Sequence, residues 1–207
     1  MSEKQTDAAG PSPSDGLRRL DDARTLKALA HPVRVALIET LSVEGPLTAT
    51  EAGERIGESP TTCSFHLRQL ARYGFVEEAG GGKGRSRPWR VPDRGLRVYS
   101  DQDDPEAAVA AGVLARLWTE NQLRRLEHWR DTRASYPRAW RDAATHSESL
   151  MWVTAEELEA FNEEILELLL TRFRERRADP SLRPEGSLPV ETLFFNYPVS
   201  PPQGGGA

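Results

Sequence analysis

The sequence predicts a mainly α-helical protein with one small β-hairpin, in which a winged helix-turn-helix domain is followed by a helical C-terminal extension. Three observations predict this fold class. Residues 48–67 have the pattern of a helix, a tight turn and a second helix. A glycine-rich basic hairpin follows over residues 75–91, and amphipathic periodicity returns in two long stretches after residue 104.

The first elements are marked by their boundaries. A leucine stripe from Leu17 to Leu29 predicts a helix, and Pro32 suits the first turn of a second one that ends at Gly45. Thr48-x-x-Glu51 is a capping box that opens a third helix. Gly57 fits the turn, Ser59 caps a fourth helix with Pro60 in its first position, and Gly74 ends that helix.

The fourth predicted helix has two faces. Cys63, Leu67, Leu70 and Ala71 share one face at helical spacing and are expected in the core. Short hydroxyls and Arg68 share the other face, which is the surface that a recognition helix presents to the major groove. Phe65 on this face is suited to a thymine methyl group or to a neighbouring helix. We predict a DNA-binding set of Ser59, Thr61, Thr62, Ser64, Phe65 and Arg68.

The hairpin has short strands near residues 75–79 and 87–91 around a glycine loop. The loop does not match the pattern of a phosphate-binding P-loop, because Gly82-Lys83 is followed by Gly84 rather than by Ser or Thr. We interpret the loop instead as a wing whose Lys83, Arg85 and Arg87 contact DNA phosphates or the minor groove. A solvated flexible turn is the plain alternative.

The distribution of charge supports nucleic-acid binding despite a net charge of −5. Residues 18–92 hold 12 Lys and Arg against 9 Asp and Glu, whereas residues 93–207 hold 14 against 20. DNA responds to the local field of the docking face rather than to the whole-chain total.

Composition narrows the remaining possibilities. The chain shows no apolar run of about eighteen residues that would span a membrane, and its N-terminus lacks the apolar core of a secretory signal. Cys63 is the single cysteine, which rules out an internal disulfide. No catalytic set is recognisable by spacing, and no His or Asp cluster has metal-ligand spacing. We expect a cytoplasmic protein that is not an enzyme and binds neither a membrane nor a metal or other cofactor.

The stretch from Leu26 to Val91 resembles the winged-helix domain of ArsR-type bacterial repressors. The resemblance rests on LKALAHPVRVALIETL, LTATEAGERIG, SPTTCSFHLRQLARYGFVEE and the wing GGGKGRSRPWRV. It implies a dimeric transcription factor that reads a near-palindrome, with base or phosphate contacts from Ser59, Thr61, Ser64 and Arg68. It also implies wing contacts from Lys83, Arg85 and Arg87. Metal-sensing relatives carry a thiolate pair on the third helix, where this chain has Glu51-Ala52-Gly53.

Five segments are therefore predicted: a disordered tail (1–16), the winged helix-turn-helix domain (17–92), a linker (93–104), a helical region (105–178) and a mostly irregular tail (179–207). The helices expected near 105–133 and 154–177 carry more apolar surface than a small winged domain needs, and we predict that one or both, with the first helix near Leu17–Leu29, form the homodimer interface. The core candidates are Val109, Val113, Leu117, Leu123 and Leu126 in the helix near 105–133, and Leu158, Phe161, Ile165, Leu168, Leu169 and Phe173 in the helix near 154–177.

Four tryptophans, Trp118, Trp129, Trp140 and Trp152, suit either an aromatic core or a pocket for a small-molecule effector. The leading function is a sequence-specific DNA-binding transcriptional regulator, a dimeric repressor that acts on double-stranded DNA without a thiolate metal site. A winged-helix adaptor that binds protein through the same scaffold is the alternative.

Overall fold

The computed structural model describes residues 18–80, 87–92, 96–98 and 103–201. The chain divides into two compact units. One spans Gly16–Thr145 and is called the N-terminal unit, and the residues from His146 onward are called the C-terminal unit. Within the described parts of the chain, helices predominate and strands are short, so the predicted fold class is confirmed.

The N-terminal unit contains six of the described helices and four short strands. The helices are α1 (Ala23–Leu29), α2 (Pro32–Glu44), α3 (Ala49–Ile56), α4 (Pro60–Arg72), α5 (Pro105–Thr132) and α6 (Arg138–Ala143). The strands are β1 (Arg18–Leu20), β2 (Glu77–Glu78), β3 (Trp89–Arg90) and β4 (Leu96–Val98). A short 3-10 turn, Arg133–Ser135, joins α5 to the segment that leads into α6.

Two small sheets connect these helices. β2 and β3 are antiparallel, with Glu77 opposite Arg90 and Glu78 opposite Trp89, so the predicted hairpin is present. Its return strand is anchored to the segment before α3, because Leu47 and Trp89 exchange backbone hydrogen bonds of 3.0 and 2.7 Å. β1 pairs in parallel with β4, which lies far along the chain.

The core of the N-terminal unit joins α1–α4, the hairpin base and the first half of α5. Leu26, Leu29, Val35, Leu37, Leu67, Leu70 and Leu114 are among its fully buried side chains. α5 packs against α1 and α2. Glu39 of α2 accepts a hydrogen bond of 2.9 Å from the Asn121 amide and forms an ion pair of 2.9 Å with Arg125, so both contacts join α2 to α5.

The first helix is shorter than the leucine stripe predicts. The Asp22 carboxylate accepts a hydrogen bond of 2.8 Å from the Thr25 backbone N–H, so it caps the helix there and α1 begins at Ala23. Arg18–Leu20 form strand β1 instead, and Leu20 reaches the core from an extended backbone. Leu17 lies outside the described residues.

α5 has the predicted length, but its buried face coincides only in part with the predicted one. Val109, Val113 and Leu123, three of the predicted core residues, are exposed, with Val109 70% accessible. The buried residues are Ala107, Ala110, Ala111 and Leu114. Their small side chains allow α5 to approach α1 closely, and this contact fixes the rotation of the helix about its axis. Leu117, another of the predicted core residues, packs against the core as expected, so the prediction was wrong for Val109, Val113 and Leu123 and right for Leu117.

The C-terminal unit holds α7 (Ala155–Arg172), α8 (Arg174–Ala178) and a 3-10 turn, Pro180–Leu182, followed by irregular chain. The predicted capping box of Thr154 and Glu157 is present, but the helix breaks at Phe173 rather than continuing to 177. The prediction that its apolar residues face a core was wrong within the described structure. α7 has no buried residue, and Phe161, Leu168, Leu169 and Phe173 are exposed.

The four tryptophans are divided between the two units. Trp118, Trp129 and Trp140 belong to the N-terminal unit and are half-buried, whereas Trp152 belongs to the C-terminal unit and is 87% exposed. Trp118 packs against the hydrophobic core. None of the helices in the described ranges combines the length and the apolar character needed to cross a bilayer.

Candidate nucleic-acid interface

The turn between α3 and α4 is built for a close crossing. Gly57 adopts a left-handed conformation with φ of 73°, which glycine accepts without steric cost. A Cβ atom added to Gly53 would lie 2.6 Å from the backbone oxygen of Glu58. Gly53 therefore permits a contact that no larger residue allows unless the backbone moves, and this contact sets how α4 leaves the turn.

The start of α4 is fixed by side-chain hydrogen bonds. The Ser59 hydroxyl accepts a hydrogen bond of 3.0 Å from the Thr62 N–H, and the two hydroxyl oxygens lie 2.8 Å apart. Pro60 occupies the first turn, as predicted. Because both hydroxyls lie at the exposed end of the helix, they can turn toward a ligand at the cost of one local hydrogen bond.

α4 separates a buried face from an accessible one. Its buried residues are Cys63, His66, Leu67 and Leu70. Thr61 and Arg68 are exposed, Phe65 is 52% exposed, and Thr62 and Ser64 are half-buried. The structure thus brings the six predicted α4 residues, including Ser59, to the accessible side or the N-terminal end of one helix. Phe65 also contacts the edge of the His66 ring.

The hairpin places cations beside acids. Arg87 forms an ion pair of 2.6 Å with Glu78, and Arg90 forms one of 2.7 Å with Glu77. All four side chains are substantially exposed, so each pair contributes at most about 1 kcal/mol and is readily exchanged for another partner. Lys83 and Arg85, the other two predicted wing residues, lie outside the described residues.

Two histidines meet at the buried side of α4, His66 from α4 itself and His31 from the start of α2. The ring centroids of His31 and His66 are 4.6 Å apart. The Nδ1 atom of His31 caps α2 by accepting a hydrogen bond of 3.2 Å from the Val33 N–H. Burial lowers the pKa of both imidazoles. The nearby Arg34 charge lowers each pKa further, whereas Glu58 acts in the opposite direction. Both side chains are therefore neutral, structural groups near pH 7.

Cys63 is a core residue. Its side chain is fully buried, and burial raises the pKa of the thiol, with a smaller contribution from Glu58. A thiol with a raised pKa is a weak nucleophile and a weak metal ligand. Within the described part of the chain, no three His, Cys, Asp or Glu side chains are grouped as a metal ion would require.

Comparisons with known proteins agree with this geometry. Residues 29–79 match a family model described as a helix-turn-helix domain. Over 64 residues, the chain is 36% identical to a Cadmium resistance transcriptional regulatory protein CadC homolog of Staphylococcus aureus, covering 31% of this chain and 53% of that protein. The chain therefore spans about half the length of this curated relative.

A solved structure, that of a point mutant of Lactococcus lactis ZitR, aligns with 80% of this chain and 82% of its own. Its sequence identity is 14% and its TM-score is 0.24, a value too low to carry an argument about the fold. The sequence matches carry the classification. Residues 29–79 are a helix-turn-helix domain of the type found in ArsR-like transcriptional regulators, so the resemblance inferred from sequence is confirmed.

Sequence reasoning missed two features of this region. His31 caps α2, although its place directly before Pro32 at a helix start was a usable signal. Arg34 lies half-buried among α1, α2 and α4, and nothing in the local pattern distinguishes it from an exposed helical arginine.

Proposed function

We propose that the protein is a sequence-specific DNA-binding transcriptional regulator that acts as a homodimeric repressor. The observation that carries the proposal is the accessible face of α4, where hydroxyls and Arg68 project from a helix whose other face is fixed in the core. A helix held in this way can lie in the major groove without reorganising the domain.

In this proposal, base and phosphate contacts come from Ser59, Thr61, Thr62, Ser64, Phe65 and Arg68. Arg68 is long enough to reach the guanine edge or a phosphate. Lys83, Arg85 and Arg87 contact the sugar–phosphate backbone from the wing. For Arg87, binding exchanges an exposed ion pair with Glu78 for one with a phosphate, and this exchange costs little.

Dimerisation supplies the specificity that a single recognition helix lacks, because two helices read half-sites about one turn of DNA apart. The exposed apolar residues Val109, Val113 and Leu123 on α5 support a dimer contact along this helix. A cytoplasmic location and the absence of enzymatic activity belong to the same proposal, since a regulator acts where the DNA lies.

The proposed regulator lacks a thiolate metal site. The S. aureus relative is named for cadmium resistance, but this chain has one cysteine, and its side chain is buried in the core. A small-molecule effector is therefore a better candidate than a thiolate-bound metal ion for any signal that the protein senses.

Genomic fragment selection followed by measurement of affinity for the selected duplex tests the proposal. Arg68→Ala should weaken binding by about 1–3 kcal/mol and relax the preference at one base pair if Arg68 contacts a base. Arg138→Ala, an exposed cation on α6 outside the proposed DNA and dimer contacts, is the matched control and should leave affinity unchanged.

Salt dependence tests the wing. With about six phosphate contacts, affinity should fall on the order of a thousandfold between 50 and 200 mM salt, and replacing Lys83, Arg85 and Arg87 together should flatten this slope. If the purified protein prefers no genomic duplex even at low ionic strength, the proposal is wrong. Salt-insensitive capture of a protein partner would favour the adaptor.

A further inference from the structure

A polar cleft of about 440 Å³ lies on the N-terminal unit, among residues of α1, α2, α4 and α5. α1 contributes Arg24, Lys27 and Ala28 to its lining, and α2 contributes Arg34. The remaining lining residues are Gln69 in the last turns of α4, Tyr73 directly after that helix, and Glu106 at the start of α5. The cleft is thus bounded by four helices of one compact unit and has the volume of a small-molecule site.

The charges that line the cleft are unbalanced. Three cations, Arg24, Lys27 and Arg34, face one carboxylate, Glu106. Glu106 is already paired with the Lys27 ammonium group in an exposed ion pair. The two arginines are therefore left without a carboxylate among the lining residues, and the cleft has an excess positive charge.

Arg34 is the least satisfied of these cations. Its Nη2 atom donates a hydrogen bond of 3.0 Å to the backbone oxygen of Lys27, whereas its Nε atom is buried and makes no hydrogen bond with the described part of the chain. Burial lowers the pKa of the Arg34 guanidinium, with an opposing contribution from Tyr73. A partly desolvated cation without a counter-charge is unfavourable, and an anion placed beside it offsets this cost.

We propose that this cleft binds a small polyvalent anion, a metabolite bearing phosphate or several carboxylate groups, with Arg24 and Arg34 as its main ligands. Guanidinium groups suit both chemistries because they donate two parallel hydrogen bonds to a pair of oxygens. The Gln69 amide and the Tyr73 hydroxyl supply neutral hydrogen bonds, and the Lys27 ammonium becomes available if it exchanges Glu106 for the ligand.

Occupancy of the cleft is communicated to α4. Gln69 belongs to α4, and the backbone oxygen of Tyr73, at its C-terminal end, accepts a hydrogen bond of 2.5 Å from Arg18. A ligand that contacts both Gln69 and Tyr73 on one side and α1 on the other therefore stabilises one position of α4 relative to the rest of the core. This second step rests on the proposed function, since it concerns DNA affinity, whereas anion binding itself does not.

Calorimetric titration of the full chain without DNA tests the site. The probes are pyrophosphate and citrate, which separate phosphate from carboxylate recognition, with sodium chloride at equal ionic strength as the blank. Either probe should bind with submillimolar affinity. Arg24→Gln and Arg34→Gln should each weaken binding about tenfold or more, as expected for loss of a charge-assisted hydrogen bond. Arg24 is exposed, so Arg24→Gln keeps the test valid if Arg34→Gln does not fold.

Two further variants make the test specific. Glu106→Gln removes the carboxylate found among the described lining residues and releases Lys27, so it should tighten binding several-fold. Arg130→Gln removes a cation from a separate cleft formed by residues 130–142, and it should have no effect. If no binding is detected at probe concentrations up to about 10 mM, the binding free energy is smaller than about 3 kcal/mol in magnitude. This result would overturn the proposed site. An equal loss in Arg130→Gln also overturns it, because it indicates general attraction to a cationic surface.

The coupling is tested on the selected DNA duplex. A saturating probe should change DNA affinity several-fold in the wild type relative to sodium chloride of equal ionic strength, and this change should vanish in Arg24→Gln. Unchanged affinity despite calorimetric binding overturns the coupling and leaves the anion site standing. If Arg24→Gln weakens DNA binding and flattens its salt slope without any probe, the cleft contacts DNA phosphates and the small-anion assignment is wrong. If the protein binds pyrophosphate but prefers no DNA duplex, the proposed function is wrong and the anion site stands.

Discussion

The N-terminal and C-terminal units contain the same kind of helix but use it differently. α4 and α7 both begin with a side-chain cap and both carry an apolar stripe. α4 buries four residues in a core shared with other helices, whereas α7 buries none within the described structure. The comparison shows that capping and periodicity are sufficient to specify a helix, while burial depends on a partner that lies elsewhere in the sequence.

The largest expected difference between the units concerns leucine truncation. Leu67→Ala removes a fully buried side chain and should lower the free energy of unfolding by about 2–5 kcal/mol. Leu168→Ala, at a position that is 55% exposed, should change it by less than about 0.5 kcal/mol. Urea denaturation followed by circular dichroism measures both. A comparable loss in Leu168→Ala would mean that α7 has a partner in solution, and the contrast between the units would fail.

A substitution at Gly53 tests how closely α3 packs against the start of α4 in the N-terminal unit. Gly53→Ala places a methyl group against the Glu58 backbone and should destabilise the protein by about 1–3 kcal/mol. The matched control is Gly112→Ala on α5, where nothing lies within 4 Å of the new atom. There the higher helix propensity of alanine should leave stability unchanged or raised. A thermal melt that ranks the two variants in the opposite order would contradict the described crossing of α3 and α4.

The two capping boxes offer the closest comparison of the units. Thr48→Ala should cost about 1 kcal/mol of global stability, because α3 belongs to the cooperative core. Thr154→Ala should reduce helicity at 222 nm while leaving the main unfolding transition in place. Serine at either site keeps the hydroxyl and is the control. Equal shifts of a single transition in both alanine variants would show that the two units unfold together.

The smallest expected effect is on pH dependence and resides in the N-terminal unit. The pKa values of His31 and His66 lie below 6.5 in the folded chain, so the unfolded chain binds more protons just below that pH. Stability should therefore be complete above about pH 6.5 and should fall as the pH drops toward the lowered values.

His31→Asn keeps a capping side chain that does not titrate and should reduce this pH dependence, as should His66→Gln. His128→Gln, an exposed control on α5, should not. Denaturation midpoints at pH 7.5 and 5.5 measure the difference. A slope unaffected by either core variant would assign the pH dependence to other groups.

Local signals determined what the sequence could predict. The helix-turn-helix elements were identified because Thr48, Gly57, Ser59 and Gly74 act through hydrogen bonds and backbone angles within a few residues of themselves. The six proposed DNA-binding residues could be placed on the accessible side or the N-terminal end of α4 for the same reason, since helical spacing relates them.

Features that depend on distant residues were less predictable. The buried face of α5 is set by its contact with α1, which favours Ala107 and Ala111 over Val109. Strand β1 exists because residues 96–98 pair with it, and its three residues carry no alternation long enough to be recognised. The cleft around Arg34 combines side chains from four helices, and no local pattern reports such a convergence.

The contribution of α5 has a consequence for biosynthesis. The recognisable helix-turn-helix segment ends at residue 79, yet the core that supports it also contains Ala107, Ala110, Ala111 and Leu114. When only the segment up to residue 79 has emerged from the ribosome, the apolar surface that α5 covers in the folded unit is therefore exposed to solvent. The hydrophobic core of the nascent chain is complete only after α5 has emerged and packed against it. A translational stall before Leu114 should therefore leave an aggregation-prone intermediate.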